Sequence, residues 1–221
     1  MKSSYVIPAA IIFGGIVVAG AVYISMPKTA EKNTVDVTLI RPVSASDHIL
    51  GNPTAPVMIV EYCDFDSEFC GGFNETLHQI IANEGVDGQV AWVFREFPLF
   101  ETHPNAHAHA RAVECAAAVA GNDAFWEFAS ALFRNQPVET FRYGELAASV
   151  GISGDAFATC YANASTTLET RITADRQNAL AMGADGAPFS VMLVNGKNPI
   201  LMDGAYPYDA VKALIDQALA K

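Results

Sequence analysis

Positive charge is scarce in this chain. Its 221 residues hold 13 Lys and Arg against 24 Asp and Glu, for a formal net charge of −11. No basic cluster interrupts that acidic surface, which repels phosphate backbones and anionic headgroups and so argues against nucleic acid as a partner. Histidine is also sparse, five in all, and the His-Glu-x-x-His spacing of a helix-borne zinc site is missing. Cysteine is limited to Cys63, Cys70, Cys115 and Cys160. Four is an even number, which suits disulfide pairing in an exported protein.

What is plentiful is apolar residue, 51% of the chain, enough to bury a full core in one or two domains. Residues 5–26 form an uncharged run of 22 residues, and a helix of ~20 residues spans a bilayer core. Lys2 precedes the run and directs the N-terminus to the cytoplasm, although Lys28 and Lys32 follow closely. A cleaved signal peptide with Ala19-Gly20-Ala21 as its small-residue site is the alternative. The apolar run continues past that site, which favours an uncleaved anchor in residues 1–26. Both readings export the rest, and the expectation is a single-pass cell-membrane protein with an extracytoplasmic domain. Residues 27–46 read as a linker, with a short edge strand over 35–40.

Leu50-Gly51-Asn52-Pro53 is turn chemistry, and Pro56 opens an apolar, β-branched strand over 57–62 that delivers Cys63. From Ser67 the spacing turns helical, with Phe69, Phe73, Leu77, Ile80 and Ile81 on one face and Gly85 as a stop. Gly71 and Gly72 weaken the first turns and leave room for a substrate backbone. Residues 89–97 alternate, with Val90, Trp92 and Phe94 on one side, and predict a second strand parallel to the first. Between 104 and 183 only helical segments appear, over 105–120, 123–136, 142–150, 153–162 and 165–182, with Phe125, Trp126 and Phe128 as core aromatics. Strands return at 189–194 and 199–202 around Asn195-Gly196, a loop that Lys197 and Asn198 lengthen. A last helix over 207–219 should pack on the sheet.

The chemistry gathers where the first strand meets the first helix. Unpaired N–H groups and the positive end of the helix dipole favour a thiolate at Cys70, whereas Asp64, Asp66 and Glu68 oppose one. Cys63 and Cys70 are a redox pair, two buried reduced thiols, or part of a thiolate metal or monothiol site. Glu61 is either a buried proton carrier with a raised pKa or a half-exposed edge residue. Cys115 and Cys160 are a structural bridge, contributing ~4 kcal/mol in the chain-entropy model, or two reduced core thiols. His103, His107 and His109 are read as surface or core-lining residues, with a His and Cys metal site as the alternative; Pro104 leaves His103 outside the helix. No cofactor is expected.

The segment Asp64-Phe65-Asp66-Ser67-Glu68-Phe69-Cys70 resembles the Asp-Phe-x-Cys-x-x-Cys motif of the DsbA-like thiol:disulfide oxidoreductases in the thioredoxin superfamily. Gly51-Asn52-Pro53 before the strand, Phe125-Trp126 followed by Leu132-Phe133, and Gly186-Ala187-Pro188 before an apolar run are similar too. The resemblance covers 47–219. It implies an α/β, thioredoxin-like fold over 47–221 with an all-helical insertion at about 104–183, preceded by the transmembrane helix. It places Ser67 where the family has its attacking cysteine and Cys70 at the second, more buried one. It makes Glu61 the buried proton-relaying carboxylate, and Ala187 and Pro188, with Phe69 nearby, the substrate-facing cis-proline loop. An alcohol forms no disulfide, so Cys63 is the candidate for the missing sulfur. The implied function is thiol:disulfide exchange with exported or cell-envelope proteins, with a membrane redox partner conceivable. The alternative is a redox-inactive module that binds peptides or a partner protein.

Overall fold

The computed structural model describes residues 35–220. The run over 5–26, expected to be an anchor or signal peptide, lies outside the described residues, as does the linker up to residue 34. Among the described residues no helix is long and apolar enough to cross a membrane.

The stretch read as a linker belongs to the fold from Val35 onward. Residues Val37–Leu39 form a 3-10 turn and not the expected edge strand. The Asp36 carboxylate accepts from the Thr38 N–H at 3.0 Å, which curls the backbone, while the Asp36 N–H donates to the Met182 carbonyl at 2.8 Å. Further along, Arg41 pairs with Asp175, and the fully buried Arg95 side chain pairs with Asp47 at 2.8 Å. β1 (His48–Gly51) also differs from expectation, because Leu50 and Gly51 end a strand and are not yet turn. Gly51 has φ +102, and an added Cβ would lie 3.0 Å from the Val90 carbonyl oxygen, so the strand closes on a position that requires glycine.

β2 (Val57–Cys63) is buried at every residue but Met58, as its unbroken apolar run predicts for a central strand. It leads into α1 (Glu68–Glu84), capped by Ser67 at its start and Gly85 at its end. β3 (Val90–Glu96) then pairs in parallel with β2. The helices α2 (Ala106–Ala120), α3 (Asn122–Arg134), α4 (Tyr143–Ser149), α5 (Gly154–Ala162) and α6 (Thr166–Met182) follow before β4 (Phe189–Val194) and β5 (Lys197–Asp203). α7 (Tyr208–Leu219) completes the described chain. The β4–β5 loop is shorter than expected: Val194 faces Lys197, leaving Asn195 and Gly196, both at positive φ, as the whole turn. Lys197 and Asn198 belong to β5, and an irregularity between Met192 and Val194 adjusts the register.

The sheet order is β1-β3-β2-β4-β5, with β2 at the centre and β1 and β4 antiparallel to their inner neighbours. One face carries Val57, Ile59, Cys63, Trp92 and Phe94 against α1, α7 and the helices after β3. On the other, Val60, Tyr62 and Val93 meet Ala179 and Met182 of α6. Trp126 of α3 lies 4.5 Å from Trp92 between ring centroids, and Phe125 stacks on His48 at 3.7 Å. These rings fasten the helical segment to the sheet.

Candidate functional site

β2 ends at Cys63, and the chain turns through Asp64–Phe65–Asp66 before the helix begins. The Ser67 N–H donates to the Asp64 carbonyl at 3.1 Å, and the Ser67 hydroxyl oxygen accepts from the Cys70 N–H at 3.3 Å, satisfying a free donor of the first helical turn. The turn brings the strand end back over the helix start. Cys63 and Cys70 are disulfide-bonded, with Cα atoms 5.9 Å apart, and both are fully buried. The Asp64 N–H points at the Cys70 sulfur from 3.3 Å. Cys115 of α2 and Cys160 of α5 form a second bond, with Cα atoms 5.7 Å apart.

Ser67 also joins the start of α1 to the cis Ala187–Pro188 peptide. Its hydroxyl donates to the Ala187 carbonyl at 3.4 Å, and the Pro188 carbonyl is held in turn by the Gly204 N–H at 3.0 Å. Phe69, the second residue of α1, was expected on the apolar face with Phe73 and Leu77 but is 72% exposed, since the buried face starts at Cys70. Gln136, which sequence reasoning missed, donates to the Phe65 carbonyl at 2.6 Å and the Ser67 carbonyl at 3.2 Å. The space expected to admit a substrate backbone at Gly71 is therefore partly taken: an added Cβ there would lie 3.0 Å from the Gln136 side-chain oxygen, while Gly72 faces open space.

Glu61 is no edge residue. It is fully buried on the central strand, and one oxygen accepts from the Trp92 indole N–H at 2.8 Å while the other has no partner. Burial pushes its carboxyl up to about 8, with the Trp92 hydrogen bond opposing. The neighbouring acids are otherwise engaged. Asp64 accepts from the Asp66 N–H, the Leu99 N–H and His103 Nδ1 at 2.8, 2.7 and 3.0 Å. His109 reaches Asp66 at 3.2 Å and the Val138 carbonyl at 3.0 Å, and His107 pairs with Glu169 at 3.0 Å. The three histidines thus face different partners, and among the described residues no three His, Cys, Asp or Glu side chains are grouped to hold a metal.

A further carboxyl escaped the sequence reading. Glu96 ends β3 directly opposite Cys63 in the parallel register, is buried, and has no partner on either oxygen. Burial raises its pKa well above the ordinary carboxyl value; Glu114, Asp175 and Asp64 add to the rise and Arg171 opposes it. Its signal was present in the alternation, since 92, 94 and 96 share one face of the strand.

Comparison with known proteins agrees with this geometry. A thioredoxin family model matches residues 44–217. The antiporter NhaA 1 of Mycolicibacterium gilvum is 34% identical over 168 residues, covering 74% of this chain and 26% of that protein. NhaA 1 of Salinispora arenicola is 29% identical over 189 residues, covering 83% and 26%. The chain thus spans about a quarter of the length of the curated relatives it matches. Among solved structures, alpha-DsbA1 of Wolbachia pipientis superposes with a TM-score of 0.69 at 20% identity, covering 83% of this chain and 95% of that one. Oxidised BdbD of Bacillus subtilis gives 0.65 at 22%, covering 82% and 97%. With the family model spanning the strand, helix and cis-proline loop that make the site, the chain belongs to the thioredoxin family and carries the DsbA-type fold.

Proposed function

We propose that this chain is an extracytoplasmic thiol:disulfide oxidoreductase whose redox couple is Cys63 and Cys70. The observation that carries the reading is their bond, set between the end of the central strand and the first turn of α1, a turn that the Ser67 hydroxyl joins to the carbonyl of the cis Ala187–Pro188 peptide. A substrate segment lies along that loop beside Phe69. Its thiolate attacks the Cys70 sulfur, the Cys63–Cys70 bond breaks, and Cys63 leaves with the electron pair. A second substrate thiolate then attacks the mixed disulfide and releases Cys70, so the substrate is oxidised to a disulfide while the pair is reduced to two thiols. The reverse sequence reduces a substrate disulfide. Glu61, held protonated near neutrality, exchanges protons with the site. Because both sulfurs are buried and Ser67 supplies no thiol, turnover is slow compared with a pair that exposes its attacking sulfur.

The apolar run over 5–26 supports a membrane tether. The substrates we propose are thiols and disulfides of exported or envelope proteins, with a membrane protein to restore the pair. Antiport itself is not proposed for this chain. Cell fractionation tests the tether: a soluble product beginning near Val22 refutes it.

Ser67 and the burial of both sulfurs favour a second reading, a peptide-binding module in which the bond is only a strut. Equilibrating the full chain in glutathione buffers and trapping free thiols separates the two. Exchange predicts a two-electron couple abolished by Cys63→Ser and by Cys70→Ser alike. No couple, together with peptide binding that Pro188→Thr removes, establishes the binding module.

A further inference from the structure

We infer that Glu96 holds the proton that Cys63 takes up when the Cys63–Cys70 bond opens, a role that rests on the exchange reading above. The two sulfurs leave that bond under unequal conditions. Cys70 has the N-terminus of α1 and the Asp64 N–H at 3.3 Å to stabilise a thiolate. Cys63 ends a strand, where backbone dipoles alternate and sum to little. Its departure therefore calls for a proton.

Glu96 is placed to give it. The residue is the parallel-register partner of Cys63, and the pairing continues past it through the Phe97 N–H to the Cys63 carbonyl at 2.8 Å. The preceding pair, Tyr62 and Arg95, meets on the opposite face of the sheet, where the guanidinium donates to the Tyr62 hydroxyl at 2.7 Å. Alternation then turns Cys63 and Glu96 together onto the other face. Neighbouring strands lie about 4.8 Å apart, whereas a residue two along the same strand is about 6.6 Å away. By that measure Glu96 is a nearer carboxyl to Cys63 than Glu61 is.

The surroundings keep its proton on. Glu114 from α2, Asp175 from α6 and Asp64 from the β2–α1 turn raise its pKa, and Arg171 from α6 opposes them. Those acids have partners of their own: Glu114 has His48 at 3.0 Å and Arg171 at 3.6 Å, Asp175 has Arg41, and Asp64 has His103. Glu96 is the one carboxyl among the described residues with both oxygens buried and unpartnered. Burying such a group costs a few kcal/mol. A purely structural position has no use for it, whereas a new Cys63 thiol supplies a partner. In the step, attack on Cys70 sends the bonding pair to the Cys63 sulfur, which takes the Glu96 proton to become a thiol. The carboxylate left behind is reprotonated by one of the two protons the substrate thiols release, so the exchange consumes none.

The test follows reduction of the Cys63–Cys70 bond in the full-length chain by dithiothreitol from pH 6 to 9, corrected for the reagent's own thiolate and read by alkylation and mass spectrometry. At pH 6.5 Glu96→Gln is expected to open at least about tenfold more slowly than wild type, to converge with it toward pH 9, and to be rescued by Glu96→Asp. A Glu96→Gln profile that superimposes on wild type, while wild type itself opens, overturns the role of Glu96 alone. A wild-type bond that does not open overturns the exchange reading and this inference with it. Should Glu96→Gln fail to fold, the protonated-carboxyl infrared band of a Glu61→Gln chain decides. Its shift on reduction supports Glu96, and its constancy refutes it.

Discussion

The two disulfides of this chain lie in the same hydrophobic core yet differ in what they close and in what surrounds them. Cys115–Cys160 spans 45 residues and joins two helices, while Cys63–Cys70 spans seven and joins a strand end to a helix start. Loop-closure entropy assigns about 4 kcal/mol to the long loop and about 2.4 kcal/mol to the short one. The long bond thus has the larger structural justification. The short bond lies where a helix N-terminus and two buried carboxyls, Glu61 and Glu96, come together. Its smaller loop and its raised-pKa surroundings are why exchange is the role we propose for this bond.

That contrast is sharpest in its response to pH. Glu61 has a pKa of about 8 in the folded chain against an ordinary 4.5, so the folded state binds its proton more tightly than the unfolded state does. Its contribution is fully present below about pH 4.5, declines as pH rises, and is gone above about pH 8. The loss amounts to about 4–5 kcal/mol, and Glu96 adds to it in the same direction. Urea denaturation at pH 5 and pH 8.5 is expected to show the decline, and Glu61→Gln to remove much of it. A slope unaffected by Glu61→Gln would make the short bond's surroundings as inert as the long bond's.

Replacing Cys115 and Cys160 together by alanine is expected to lower stability by about 4 kcal/mol while leaving the glutathione couple of the other pair in place. If that couple disappears too, the division between strut and site is wrong. Ser67→Cys sets a thiol where Ser67 now caps the helix, and disulfide-exchange rates on insulin should rise by roughly a hundredfold. An unchanged rate with an intact fold refutes the alignment of Ser67 with the family's attacking cysteine. The smallest effect belongs to Ser67→Ala, which removes the cap on the Cys70 N–H and is expected to lower stability by about 1 kcal/mol. Thermal unfolding measures it, and no change would mean that the 3.3 Å contact contributes nothing.

Much of the architecture was legible because it rests on local pattern. The unbroken apolar run ending at Cys63, the 3.6-residue spacing after Ser67 and the alternation of 90, 92 and 94 each name their element, since burial on one or both faces dictates the period. The readings that failed were those in which distant residues override local preference. Val37–Leu39 alternates like a strand, but Asp36 and the Met182 carbonyl curl it. Gly51 looks like a turn, yet it pairs with Ala91 as the last residue of β1.

At the site the same division holds. The sequence by itself determined which chemistry is present: a thiol at a helix start, a second thiol on the strand before it, an alcohol at Ser67 where the resemblance implies sulfur, and a carboxyl among apolar neighbours. Only the tertiary structure decided that Cys63 and Cys70 meet, that both are sealed from solvent, and that Glu96 stands across from Cys63. A bond, a burial and a register are relations between segments that touch only after the sheet has formed. No spacing along the chain encodes them, because the turn between strand and helix and the pairing of β2 with β3 set those distances in space.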